Sequence, residues 1–176
     1  PCRYQVRRDS AIRTLLADWQ SQKRERVTLV EAKEQRSAAL DESLHAILEE
    51  LGISWSVLTY QNQRSESFLR ELQRKKTSGI IFSSSALVSK FCFRVPRAVA
   101  DLLQSHRVAL LSGPVSMPFA RVPDVQVDLI TVDWQLVSEK IVDDLISQDA
   151  FQLPGPTIFE AEAKLRVPLS AFAQSI

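Results

Sequence analysis

Segments with the 3.6-residue apolar period of a helix alternate along this chain with short runs of strand-forming residues, and that alternation limits the fold more than any other feature. Asp9 reads as an N-cap, followed by Ile12, Leu15, Leu16 and Trp19 on one helix face. The strand Arg26–Val30 comes next. A long helix then runs from about Ser37, with Ala39, Leu40, Leu44, Ile47, Leu48 and Leu51 as its stripe and Gly52 as its C-terminal cap. Ile53–Tyr60 reads as a strand, and Ser65 as the cap of a helix carrying Phe68, Leu69 and Leu72. Gly79–Phe82 is short and wholly apolar, as befits a parallel strand covered on both faces.

After Ser83-Ser84-Ser85, residues Ala86 to Phe93 suit one or two helical turns. Pro96 opens a further helix with Val99, Leu102 and Leu103 turned inward, closed by His106 and Arg107 against the helix dipole. Val108–Leu111 and Val127–Val132 read as strands. An amphipathic helix near Gln135–Ser147 carries Leu136, Ile141, Val142 and Leu145. Leu153-Pro-Gly-Pro156 is a turn, and strand character returns from Thr157. The pattern predicts an α/β fold: a doubly wound parallel sheet with helices on both faces and right-handed crossovers. Ligands of such sheets bind at the carboxyl ends of the strands, which directs attention to the segments starting at Glu31, Ser83 and Ser112.

Composition removes several function classes. Hydrophobic residues make up 45% and charged residues 24% of the 176, as in an ordinary globular chain. No apolar run approaches the roughly 20 residues that span a bilayer, and no signal peptide is visible, so a membrane-free protein is expected that is cytoplasmic or has had a targeting segment removed. With 22 Lys+Arg against 21 Asp+Glu, the chain lacks the basic excess of a nucleic-acid-binding domain. The cluster Arg70, Arg74, Lys75, Lys76 falls at a helix end and complements its dipole. Cys2 and Cys92 form neither a disulfide scaffold nor a C-x-x-C pair, and read as reduced structural thiols. No cofactor or metal is expected: phosphate loops, nucleophile elbows and zinc helices are all missing, and four glycines make a phosphate cradle hard to build.

Two places carry candidate ligand chemistry. Hydroxyls at Ser83-Ser84-Ser85 either hold a polar ligand or cap the next helix. Arg36, between a strand and the long helix, is placed to grip a hydroxyl pair or carboxylate, unless it is an exposed loop arginine. His45 reads as a boundary histidine of its helix, and Glu160 and Glu162 as a solvated strand face.

The order of these segments resembles the C-terminal half of LacI/GalR-type regulators, which have a periplasmic-binding-protein type I-like fold. Asp9-Ser-Ala-Ile, Leu16 and Arg26-Val-Thr-Leu-Val30 are similar to the family's helix and G-H-x-x-I-A-x-L strand. Arg36 with Leu40, Leu44, Leu48 and Gly52 resembles its R-x-x-G-F helix. Ser78-Gly-Ile-Ile-Phe-Ser-Ser-Ser85 resembles A-I-F-x-x-N-D. Arg94-Val-Pro with Val108-Ala-Leu-Leu111 resembles R-V-P-x-D-V-S-V-V-G-F-D, Leu129-Ile-Thr-Val132 resembles L-T-T-V, and Arg166 near the chain end resembles the arginine of the closing L-x-x-R-x-S.

The resemblance implies an effector-sensing and dimerisation domain over 1–176, mainly a C-terminal lobe at about 20–115. A crossover helix and C-terminal strands at about 127–170 complete it, with the DNA-binding headpiece and first lobe outside this chain. It implies a sugar or nucleobase-like effector, a homodimer, contact with DNA only through the headpiece, and no catalysis. Arg36 takes the place of the effector-binding arginine, Ser84 that of the family's Asn and Ser85 that of its Asp. Two positions depart. Ser112-Gly113-Pro114-Val115 stands where the family has G-F-D-D, so the acidic ligand is missing there, and Lys23-Arg24 replaces the G-H loop. The helix near Gln135–Ser147 is expected to leave an apolar face for a neighbouring chain to cover. Alternatives of other classes are a transport solute-binding protein of the same fold and a small α/β hydrolase using Ser84.

Overall fold

The computed structural model describes residues 4–33, 38–61, 64–111, 126–146 and 156–168. In chain order these form β1 (Tyr4–Arg7), α1 (Asp9–Ser21), β2 (Arg26–Ala32), α2 (Ala38–Glu50), β3 (Ser54–Tyr60), α3 (Ser65–Arg74) and β4 (Gly79–Phe82). There follow α4 (Ser85–Arg94), α5 (Pro96–Ser105), β5 (Arg107–Leu110), β6 (Gln126–Thr131), α6 (Trp134–Ile146), β7 (Thr157–Glu160) and β8 (Glu162–Pro168).

Six strands make the main sheet in the order β3-β2-β4-β5-β6-β8, parallel except for β8. The alternation of side chains along each strand divides the core between two faces. Ile80 and Phe82 of β4 meet α3, α4 and α5, through Phe68, Leu69, Leu72, Phe91, Val99 and Leu102. Ile81, between them, faces α1 and α2, through Ile12, Leu15, Leu16, Trp19, Leu44 and Leu48. The sheet is therefore doubly wound, as the alternation of segments required. Burial pushes the Cys92 thiol on α4 up to about 12, which keeps it an unreactive core residue.

Helix ends depart from expectation at several points. Asp9 lies inside the first turn of α1, and its carboxylate accepts the Ser43 hydroxyl of α2 instead of capping. Ser65 likewise sits one residue inside α3, with its hydroxyl 3.5 Å from that of Tyr60. The region predicted as one or two turns is the 10-residue α4. His106 has left the helix of α5 with extended backbone, and Arg107 is the first residue of β5, so neither completes the last turn of α5. The Leu153–Pro156 turn, apart from Pro156, lies outside the described residues.

Arg107 has a different task. Its Nε and Nη2 donate to the carboxylate of Asp128 on β6 at 2.6 and 2.8 Å. The same carboxylate accepts Trp19 Nε1 of α1 at 2.6 Å and the backbone N–H of Arg166 on β8 at 2.8 Å. Asp128 is fully buried, and this four-bond acceptor joins one helix and three strands at the amino edge of the sheet. The hydrogen bond from Arg107 to Asp128, more than its burial, governs the guanidinium and raises its pKa.

Two helices end in the same way with different residues. At the end of α2, Gly52 (φ 66°) takes the left-handed position, while Gly52 N–H donates to Glu49 O and Ile53 N–H to Leu48 O. At the end of α1, Lys23 N–H donates to Gln20 O and Arg24 N–H to Trp19 O, and Lys23 takes that position with φ 59°. A side chain there is strained by roughly 1 kcal/mol, part of which a glycine's greater freedom in the unfolded chain gives back. Lys23→Gly is therefore expected to stabilise the fold by a fraction of that amount, read as a higher urea midpoint at unchanged slope.

The short strands β1 and β7 pair in parallel as a separate two-stranded sheet. Tyr4 Oη of β1 donates to Asp144 of α6 at 3.0 Å, and Lys140 pairs with the same carboxylate. Asp133 caps α6, its Oδ1 accepting Leu136 N–H at 3.0 Å. Of the apolar residues of α6, Val137 is buried, whereas Trp134, Leu136, Val142, Leu145 and Ile146 are exposed. Of the four residues expected on the apolar face, Leu136, Val142 and Leu145 are exposed and Ile141 is half-buried.

Candidate functional site

Chain order reverses direction across the sheet between β2 and β4. From β2 the chain passes through α2 to β3 on one side, then through α3 to β4 on the other. At such a switch point the two crossovers diverge to opposite faces and leave a crevice outside the carboxyl ends of the strands. Ser83 N–H donates to Val30 O at 3.0 Å, so the serine run stands directly beside Glu31. Leu111 N–H donates to Phe82 O at 3.0 Å, which sets the end of β5 next in line.

Glu31 is 3% exposed, an acid at the carboxyl rim of β2 next to the apolar pair Leu29 and Val30. The strand pattern marked the start of its segment, without singling out the carboxylate itself. On the far side of β2, Tyr60 ends β3. Its ring packs edge-on against Phe68 and Phe91 at 5.2 and 5.1 Å, and Lys90 Nζ lies 5.0 Å from its centroid. The carboxyl edge thus offers a buried acid and hydroxyls on the α1/α2 face of the sheet, while Tyr60 and Lys90 belong to the other face. The acid and hydroxyls are a set suited to binding a polyhydroxylated molecule by hydrogen bonds.

The predicted ligand residues fare differently. Ser84 occupies the N-cap position of α4 with extended backbone, half-buried, and its hydroxyl makes no capping bond. Its carbonyl accepts Leu87 N–H at 3.3 Å. Ser85 is the first residue of α4, also half-buried. Arg36 lies outside the described residues, as does Ser112-Gly113-Pro114-Val115. Neither histidine stands with Ser84 at this edge. His106 precedes β5 at the opposite end of the sheet, and His45 stacks on Trp55 at 4.1 Å. Glu160 and Glu162 are exposed, on the end of β7 and the start of β8, around the buried Ala161.

No family model matches the chain, and no curated protein does. Solved structures do. A LacI family transcriptional regulator from Arthrobacter sp. FB24, in complex with lactose, superposes with a TM-score of 0.62 at 19% identity, over 93% of this chain and 64% of that one. A regulator of the same family from Enterococcus faecium, with bound ribose, gives a TM-score of 0.64 at 13% identity, over 94% of this chain and 64% of its own. A probable maltose operon transcriptional repressor from Staphylococcus aureus gives 0.65 at 10%, over 92% and 61%. This chain spans just under two thirds of each of these three chains. It has the α/β fold of the LacI-family transcriptional regulators, in the periplasmic-binding-protein type I-like form that the order of its segments predicted.

Proposed function

We propose that this chain is the effector-binding and dimerisation part of a LacI-type, DNA-binding transcriptional regulator. One observation carries the reading: the switch point sets the buried Glu31 beside Ser83 at the carboxyl edge, with Ser84 the next residue along the chain. The acidic ligand missing at Ser112–Val115 has a substitute in Glu31, which accepts effector hydroxyls, while Ser84 supplies a second polar contact. Arg36, which the family resemblance makes the effector-binding arginine, is assigned as a further contact. A sugar is the effector class, in keeping with the lactose and ribose held by two proteins of this fold. The exposed face of α6 is assigned to a first lobe or second subunit of the regulator, and DNA is reached through a headpiece.

Calorimetric titration with lactose, ribose, maltose and a panel of further mono- and disaccharides tests the reading. At least one is expected to bind saturably. Glu31→Gln should weaken it by tenfold or more, because a hydrogen bond to a charged group is lost, and Ser84→Ala by roughly fivefold. Binding that survives both changes, or a panel without a binder, overturns the assignment of this edge.

A further inference from the structure

The opposite, amino edge of the sheet holds a cleft of about 560 Å³, lined by the cations Arg24, Arg107 and Arg166 together with His106 and Gln126. Its volume lies within the roughly 300–1,000 Å³ of small-molecule sites, and its lining is chiefly polar. Two acids at this edge, Asp18 and Asp128, both pair with Arg107, at 3.0 and 2.6 Å. Arg24 gives one hydrogen bond, from Nη1 to the carbonyl of Ser78. Neither Arg24 nor Arg166 has a carboxylate partner among the described residues. Arg107 supplies the cleft with a rigid, neutralised wall, and Arg24 and Arg166 supply net positive charge.

Arg166 is held there by an unusual backbone. The β6–β8 register shifts between Val127 and Leu129, and opposite that irregularity Arg166 has φ 54°. Its N–H is fixed on Asp128 at 2.8 Å. A left-handed residue at a strand irregularity is ordinarily glycine, so an arginine there accepts strain to place a guanidinium at the cleft. His106 fits the same picture: burial, and the positive charge of Arg24, hold its imidazole below the ordinary range, and a neighbouring anion would reverse the second effect.

We infer that this cleft is a binding site for a small dianionic ligand of the phosphate-ester type, with Arg24 and Arg166 as its two charged contacts. It is separate from the effector edge and does not depend on the function assigned to that edge. Two guanidiniums from different elements suit a group with several acceptor oxygens, and Gln126 adds a neutral donor.

The test is titration of the chain with inorganic phosphate and pyrophosphate, followed by calorimetry and by the His106 ring signals in NMR. Saturable binding with a Kd of about 1 mM or tighter is expected, together with a rise in the pKa of His106. Arg166→Gln keeps the backbone N–H on Asp128, and Arg24→Gln keeps a donor for Ser78, so both variants are expected to fold. Each should weaken binding about tenfold, and Arg24→Lys less. A phosphate response that never saturates, or an affinity that both Gln variants leave unchanged, overturns the site.

Discussion

Asp128→Ala is expected to lower the unfolding free energy by roughly 3–5 kcal/mol, the range found when one partner of a buried ion pair is removed. Four hydrogen bonds end on this carboxylate, from Trp19, from Arg166 and two from Arg107, and no part of it reaches solvent. Its loss leaves the Arg107 guanidinium, whose side chain is only 13% exposed, with Asp18 and Gln22 as its remaining partners. The Trp19 indole N–H is left inside the core with no acceptor. Since folded domains hold about 5–15 kcal/mol in reserve, the loss is a large share of the total. Asp128→Asn keeps one carbonyl acceptor and should cost less. The double variant Asp128→Leu, Arg107→Leu removes both charges and is expected to cost less than the two single changes added together. Urea unfolding of the set decides it. A loss below about 1 kcal/mol for Asp128→Ala would mean that the pair contributes no more than an exposed one does.

The amino-edge network escaped sequence reading for a physical reason. In Val127-Asp-Leu-Ile-Thr-Val132 the single acid interrupts an apolar strand, which was the one available signal, but its partner Arg107 follows a helix end that also favours a cation. Local electrostatics and the tertiary pair made competing claims on the same arginine, and the pair lies 21 positions apart in sequence. The helices and their faces were legible because period and burial agree. Ile12, Leu15, Leu16 and Trp19 are all fully buried, as are Phe68 and Leu72. Caps were less so. Asp9, Ser65 and Ser84 have residue types that cap, yet the first two sit a residue inside their helices and the Ser84 hydroxyl makes no capping bond. β1 is four residues long and pairs with a strand more than 150 positions away, so no local pattern announces it. At the carboxyl edge, the switch point follows from strand order, which only the assembled sheet reveals. The sequence could mark where Glu31 and Ser83 begin their segments but could not set them side by side.

Gly79→Ala is the second large effect, about 3 kcal/mol, although the change adds a single methyl group. A Cβ at this position would lie 2.3 Å from Cζ3 and 2.6 Å from Cε3 of Trp19, far inside contact distance. Relief would require either β4 or the indole to move. β4 is hydrogen-bonded between β2 and β5, and Trp19 is fully buried with its Nε1 fixed on Asp128. The absent side chain at the first residue of β4 is what lets the indole lie across the sheet and reach the carboxylate. Glycine is required here for close approach and not for its backbone, which has no positive φ. A double-mutant cycle separates the two explanations. Trp19→Ala alone is expected to cost roughly 3–5 kcal/mol. In that background Gly79→Ala meets an open space and should cost little or become slightly favourable, since alanine loses less chain entropy than glycine on folding. Equal penalties for Gly79→Ala with and without Trp19 would show that the strand itself, and not the indole, excludes the methyl group.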